Sequence, residues 1–161
     1  MQMKQILCLL ILLSTAKVNC MGVDDESGKP VVYASVTAPN LWDIGDRQAY
    51  LVITDKNWSK YYQSRPAGSD FANCIYVVAS MGMQPNPGYR IRILQIQQQK
   101  ERVLVSLELL GPEPKKAYAQ VIVTPLAVAE VKKKQLEPYS RLEFVFTDKE
   151  GRQLATEKVE F

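Results

Sequence analysis

Two stretches in the middle of the chain alternate apolar and polar residues with a period of two. Tyr89, Ile91 and Ile93 alternate with arginines, and the valines and leucines of Val103–Leu109 repeat the pattern. A period of two places every second side chain on one face of a strand, so each stretch predicts a strand with one buried face. The polar residues 97–102 between them predict a hairpin turn.

An apolar run without any charge, Ile75–Ala79, precedes this pair. Such a run is typical of a central strand that is buried on both faces. Pro125 predicts a kink or bulge in the later β-rich part of the chain, because proline has no N–H to donate. Asp148-Lys149-Glu150-Gly151 predicts the last turn, with Gly151 in the left-handed conformation. Further strands are predicted at residues 31–38, 49–53, 119–123, 126–131 and 142–146, and in a last strand that carries Val159 and Phe161.

The period changes once, after residue 53. Thr54 or Asp55 can cap a helix N-terminus, and Trp58, Tyr61 and Tyr62 follow at the i, i+3, i+4 spacing of one helical face. The pattern therefore predicts one helix that ends before a proline at position 66. Together the elements predict a mainly β (α+β) fold. We expect an antiparallel, hairpin-built sheet that curls into a sandwich or barrel-like core, with the helix packed on it.

The N-terminus has the layout of a secretory signal. Lys4 precedes the apolar run Ile6–Leu13, and small residues up to Ala16 follow. Eight apolar residues are too few for a membrane span, which needs about 20. We therefore expect residues 1–20 to be a signal peptide, residues 21–30 a flexible spacer, and residues 31–161 a single domain. The predicted location is the periplasm, the cell envelope or the outside of the cell.

The leader can be processed in two ways. Cleavage after Ala16 fits the small-x-small pattern of Ser14 and Ala16. The alternative is lipidation of Cys20 in a bacterial lipoprotein, although Lys17-Val18-Asn19 is a poor lipobox because a charge stands where an apolar residue is usual. A disulfide between Cys20 and Cys74 is open only if Cys20 remains unlipidated.

The charge argues against a nucleic-acid partner. The net charge is +3, of which Lys4 and Lys17 supply two, so the rest of the chain is close to neutral. Electrostatic binding of nucleic acid needs a concentrated basic face. The basic run Lys132–Lys134 has two interpretations, the solvated end of a strand or a phosphate site.

The residue types that most enzymes need are absent from the sequence. It contains no histidine, so the Ser-His-Asp and Cys-His arrangements and the commonest zinc ligand are excluded. Its glycines form no phosphate-binding loop. We therefore predict no enzyme, no metal and no cofactor. The alternative is a carboxylate-dependent hydrolase, with candidate acids Asp43 with Asp46, or Asp24 and Asp25 with Glu26.

One segment is a candidate protein-binding loop, Gly82–Tyr89. Pro85 and Pro87 restrict its backbone, so it would lose little entropy when a partner docks. Gly88 allows a positive φ, and Tyr89 offers an amphipathic ring. We take Gly82, Pro85, Asn86, Pro87, Gly88 and Tyr89 as the candidate binding residues. The alternative is a tight connection whose Tyr89 ring closes the core.

The segment 75–131 resembles the C-terminal domain of PrcB, the accessory subunit of a secreted bacterial protease complex. The resemblance covers about a third of the chain. One departure lies in the loop, where the family commonly has Pro-Thr-Gly-Gly-Tyr and this chain has Pro-Asn-Pro-Gly-Tyr. The matching residues are Tyr76-Val77-Val78-Ala79, Gly82, Pro85, Gly88-Tyr89, Ile91, Ile93, Val103, Val105, Pro112 or Pro114, Thr124-Pro125 and Val128 to Val131.

The resemblance implies an exported or lipid-anchored, non-catalytic domain that stabilises or assembles with a protease, and it supplies no active-site residues. A second resemblance favours inhibition instead. The segment 85–89 is similar to the Asn-Pro-x-x-Gly-Tyr loop of the chagasin-type cysteine-protease inhibitors, which are β-sandwiches. Their Gly-x-Gly-Gly and Arg-Pro-Trp loops are missing here, and Arg65-Pro66-Ala67 is the nearest sequence.

Overall fold

The computed structural model describes residues 28–36 and 42–161. The predicted signal peptide, most of the predicted spacer, Cys20 and the acidic cluster 24–26 lie outside these residues. The described part contains nine strands, and 3-10 turns lie at Trp58–Lys60 and Lys133–Gln135. The strands are β1 (Lys29–Pro30), β2 (Tyr33–Ser35), β3 (Gln48–Ile53), β4 (Cys74–Met81), β5 (Arg90–Gln99), β6 (Arg102–Leu110), β7 (Leu126–Lys132), β8 (Arg141–Asp148) and β9 (Gln153–Glu160).

The strands form two sheets that enclose a common core. One sheet has the order β1-β5-β6-β8-β9 and the other has the order β2-β7-β4-β3. The prediction of a mainly β sandwich is confirmed, and the described strands do not close into a barrel. The expectation of a wholly antiparallel sheet was wrong, because β6 and β8 are parallel. The chain leaves β6 to form β7 in the other sheet, and therefore returns to β8 running in the same direction as β6.

The central strand β4 is buried on both faces, as its unbroken apolar run predicts. Its residues Ile75, Val77 and Ala79 belong to the core between the two sheets. Tyr76 and Val78 belong to a second cluster on the other face of the four-stranded sheet. That second cluster includes Trp42 and Phe71, and the ring centroids of Trp42 and Tyr76 are 4.2 Å apart. Two cores thus fix β4 from both sides.

The predicted helix after residue 53 is wrong. Only a 3-10 turn forms, Trp58–Lys60, with Asn57 rather than Thr54 or Asp55 at its N-cap position and with no side-chain cap. The Asn57 side chain instead accepts a hydrogen bond from the Thr54 N–H and donates one to the Val52 carbonyl. Such side-chain bonds to nearby backbone compete with helix formation. The aromatic residues of the pattern, Trp58, Tyr61 and Tyr62, nevertheless pack against the second core.

Three predicted segments have different bounds in the structure. The strand expected at 31–38 is β2, Tyr33–Ser35, with residues 37 and 38 outside the described part. Lys29–Pro30, at the end of the predicted spacer, pairs with Gln97 and Gln98 of β5. The strand expected at 119–123 is paired at Val123 alone.

Both predicted turns are present. The hairpin between β5 and β6 turns at Lys100 and Glu101, a tighter turn than the predicted 97–102. In the last hairpin Gly151 has a φ of +82°, which confirms the predicted left-handed glycine. The buried Asp148 carboxylate accepts hydrogen bonds from the backbone of Glu150 and from the backbone and side chain of Arg152. This turn is therefore held by its own first residue.

The candidate loop and the first described residues lie at opposite ends of β5. The loop precedes Arg90, whereas Lys29 pairs with Gln98. A ten-residue strand is about 30 Å long at the usual rise per residue. Gly28, the first described residue, therefore lies far from the loop.

Candidate functional site

The six candidate residues of the loop differ in exposure. Gly82 and Gly88 are buried, Pro85 and Pro87 are exposed, and Asn86 and Tyr89 are half-buried. The two glycines thus hold the loop to the domain while the two prolines face solvent. This separation gives the loop an inner, structural side and an outer side open to a partner.

Gly82 fixes the start of the loop against the residues that lead into β3. Its φ is +69°, and an added Cβ would lie 2.7 Å from the Gln48 nitrogen. Its N–H donates to the buried Ser80 hydroxyl, and the next N–H, from Met83, donates to the Asp46 carbonyl. Only glycine fits this approach without a shift of the backbone.

Gly88 fixes the end of the loop against Pro112. The Gly88 N–H donates to the Asn86 side chain at 2.9 Å. Gly88 does not use the positive φ that glycine allows, since its φ lies outside that range. Glycine is needed for space instead, because an added Cβ would lie 2.7 Å from the Pro112 Cβ.

The middle of the loop is paired with the segment that leads into β7. Gln84 and Val123 exchange two backbone hydrogen bonds of 2.8 and 3.0 Å. The Met81 N–H donates to the Pro125 carbonyl, and the Gln84 side chain donates to the Met81 carbonyl. The loop is therefore fixed at its start, middle and end.

Tyr89 lies at the opening between the two sheets and is neither a core residue nor fully exposed. Ile91, which shares its parity, is 7% exposed, whereas Tyr89 is half-buried. Tyr89 and Pro87 form one side of a shallow cavity of about 220 Å³, and residues 123–126 form the other. Such a cavity has room for one small side chain of a partner.

Sequence reasoning missed the apolar surface beside the loop. Met83, Val121 and Ile122 are 51%, 56% and 69% exposed. Gln84 and Val123 form an antiparallel bridge between two segments of the chain. Met83 and Ile122 directly precede the two residues of this bridge. The signal was present in the sequence as the β-branched run 121–123, but the run was interpreted as an ordinary strand.

The contacts of the other candidate residues indicate structural roles. Burial, together with the Glu130 carboxylate, raises the pKa of the Cys74 thiol, which keeps it protonated and unreactive. The Asp43 carboxylate accepts the Gly45 N–H. Lys133 donates to the Phe71 carbonyl, while Lys132 and Lys134 are exposed. Within the described residues, no group of three or more metal-ligating side chains is placed to hold an ion.

Residues 75–132 match the family model described as PrcB C-terminal. The resemblance to this family is confirmed. No curated protein and no solved structure matches the chain. The PrcB-like segment runs from β4 to the end of β7, and these two strands pair directly, for example Ile75 with Val131. It therefore contains both the loop and the exposed apolar residues beside it. In the described part of the chain, no helix has the length and apolar character to cross a membrane.

Proposed function

We propose that this protein is an exported, non-catalytic protein-binding domain that acts as an accessory or stabilising partner of an envelope protease or of another envelope complex. The observation that carries the proposal is the loop Gly82–Tyr89 inside the PrcB-like segment. It is exposed on one side and fixed to the domain on the other. The family match supports a role beside a protease.

The geometry of the loop favours binding over catalysis. A loop held at three places loses little conformational freedom when a partner docks. Its exposed neighbours Met83, Val121 and Ile122 are apolar, and exposed apolar side chains beside a fixed loop are suited to a protein contact. Tyr89 adds an aromatic ring at the edge of a shallow cavity, and aromatic residues are enriched at such contacts.

The position of the loop suits a protein held at its N-terminal side. The chain enters the domain near Gln98, about 30 Å along β5 from the loop. If Cys20 carries a lipid, the loop lies at the end of β5 away from the first described residues. If the leader is removed after Ala16, the domain is free, and the mass of the mature N-terminus distinguishes the two forms.

Site-specific photocrosslinking in the native host tests this proposal. A photoreactive residue replaces Pro87 in one variant and Glu101 in the control. Glu101 is an exposed residue in the turn at the other end of β5. We expect the Pro87 probe to capture a defined envelope protein, with a protease subunit as the leading candidate. Equal adducts from both positions, or none from Pro87, would refute the proposed surface.

Protease inhibition is the second candidate function. It is favoured by the exposure of Pro85 and Pro87 on a fixed loop. An inhibitor would slow papain in proportion to its concentration, and Tyr89→Ala would weaken the effect. An unchanged papain rate with excess domain would leave the accessory role as the remaining proposal for this loop.

A further inference from the structure

The segment 119–122 has the composition of a strand but no strand partner. Val121 and Ile122 are mostly exposed, and no turn or bend interrupts residues 116–122. The backbones of Gln120 and Ile122 form no hydrogen bond with any described residue. β-branched residues favour strands, so local preference and observed pairing disagree here. Such disagreements are expected at functional sites.

The pairing of Val123 shows which edge of this segment is open. Both backbone groups of Val123 are bonded to Gln84. Along a strand, the backbone groups of successive residues point to opposite edges. The groups of Ile122 and Gln120 therefore point away from Gln84, to an edge that no described strand occupies.

We propose that this open edge receives an extended strand of the partner protein, which bonds to the backbone of Gln120 and Ile122. The inference rests on the proposed function and specifies how its partner is held. In strand addition the main-chain hydrogen bonds provide affinity and the neighbouring side chains provide specificity. Here those side chains are Ile122, Val121 and Met83.

The size of the surface favours a peptide-like segment over a second copy of the chain. The exposed apolar area of Met83, Val121 and Ile122 is on the order of 300 Å². A standard stable interface buries about 800 Å² on each partner. A single strand with one or two apolar side chains suits this area.

The charge near the segment specifies the partner further. Lys115 is exposed and has no ion pair with any described carboxylate, whereas Lys116 lies 3.2 Å from Glu113. Glu113 is also 3.6 Å from Arg90, so positive charge is in excess. An acidic residue toward the Lys115 end of the partner strand would complement this charge, and β-branched residues would favour its extended conformation.

A peptide of this chemistry tests the proposal directly. The probe is acetyl-Asp-Thr-Val-Thr-Val-Thr-amide, added to the isotope-labelled protein and followed by amide shifts and hydrogen exchange. We expect the Gln120 and Ile122 amides to shift and to exchange more slowly. We also expect weaker binding when lysine replaces the aspartate of the peptide. No change at these two amides would overturn the inference.

Two adjacent proline substitutions provide a matched pair. Ile122→Pro removes an N–H that points to the open edge, and Val121→Pro removes one that points to the Gln84 side. Neither N–H has a partner among the described residues, so both variants should keep the wild-type unfolding midpoint. Both variants lose an exposed β-branched side chain, but only Ile122→Pro removes an N–H from the open edge. We therefore expect Ile122→Pro to weaken peptide binding about tenfold more than Val121→Pro does, consistent with one or two lost hydrogen bonds.

Three outcomes would overturn the inference. Equal weakening by the two prolines would show that the edge does not matter. Self-association that Ile122→Pro abolishes would identify a second copy as the occupant. Capture of the same partner through the Pro87 probe in the Ile122→Pro variant would contradict strand addition while leaving the proposed function intact.

Discussion

Replacing Gly88 with alanine is expected to destabilise the domain by about 2 kcal/mol. The new Cβ would lie 2.7 Å from the Pro112 Cβ and 2.9 Å from its Cα. Because those atoms belong to a ring and the backbone, the loop must move, and such overpacking costs about 1–3 kcal/mol. The movement also strains the bond from Gly88 to Asn86, worth about 1 kcal/mol. The lower entropy of the unfolded alanine chain offsets about 0.4–1 kcal/mol.

Gly111→Ala is the matched control for this prediction. Gly111 adjoins Pro112, but nothing lies within 4 Å of its added Cβ and its φ is outside the positive range. We expect it to be neutral or slightly stabilising. Urea unfolding measures both variants, and Gly88→Ala should also melt about 4–8 °C lower than the wild type. If Gly88→Ala is as stable as Gly111→Ala, the loop is not held against Pro112 as described.

Three further predictions concern the start of the loop, the last turn and the thiol. Gly82→Ala should lower the free energy of unfolding by about 3 kcal/mol, because the new Cβ clashes with Gln48 and the residue has a positive φ. Gly68 has a similar φ but open space around it. Gly68→Ala should therefore lower the free energy of unfolding by less in the same thermal unfolding assay. Burial opposes the charge of Asp148, but the hydrogen bonds that it accepts outweigh burial and lower its pKa below the usual 3.8. Its stabilising effect is therefore present above 3.8 and lost as the pH falls through the folded-state pKa. Asp148→Asn should lower the urea midpoint at neutral pH, and a deficit that stays constant into acid would contradict this reasoning. Cys74, which is 3% exposed, should resist iodoacetamide until the protein unfolds, as peptide mapping can show; rapid labelling of the folded protein would contradict its burial.

Local patterns predicted much of the fold because period-two alternation is set by neighbours in sequence. The run Ile75–Ala79 and the alternation in Val103–Leu109 correctly indicated one strand buried on both faces and one buried on a single face. The alternation in β5 continues only to the bulge at Ile93–Gln95. Leu94, inside the bulge, is exposed, and Ile96 beyond it is buried, a change of face that the local sequence pattern does not indicate.

Long-range features could not be predicted in this way. The spacing of Trp58, Tyr61 and Tyr62 suggested a helix, because a helix would place all three on one face. A 3-10 turn that packs all three against one core produces the same sequence pattern. The parallel pairing of β6 with β8 depends on where β7 is placed, which is a property of the whole chain.

The candidate site was predicted in part. The prolines and glycines of 82–89 indicated a stiff loop, since both residue types restrict or permit particular backbone conformations. The reason for Gly88 was missed, because its neighbour Pro112 lies more than 20 positions along the chain. The exposure of Val121 and Ile122 was also missed, because an apolar β-branched run has the same composition whether or not it finds a partner.

Because β6 pairs with β8, the PrcB-like segment 75–132 is not a complete folding unit by itself. If the segment 75–132 were excised, β6 would lose its neighbour along residues 102–107. The inter-sheet core would also lose the side chains of Leu142, Phe144 and Phe146. The excised segment would thus present an open, apolar strand edge, which invites aggregation. A chain built around a PrcB-like segment with this topology must therefore cover the open edge of β6, and β8 does so here.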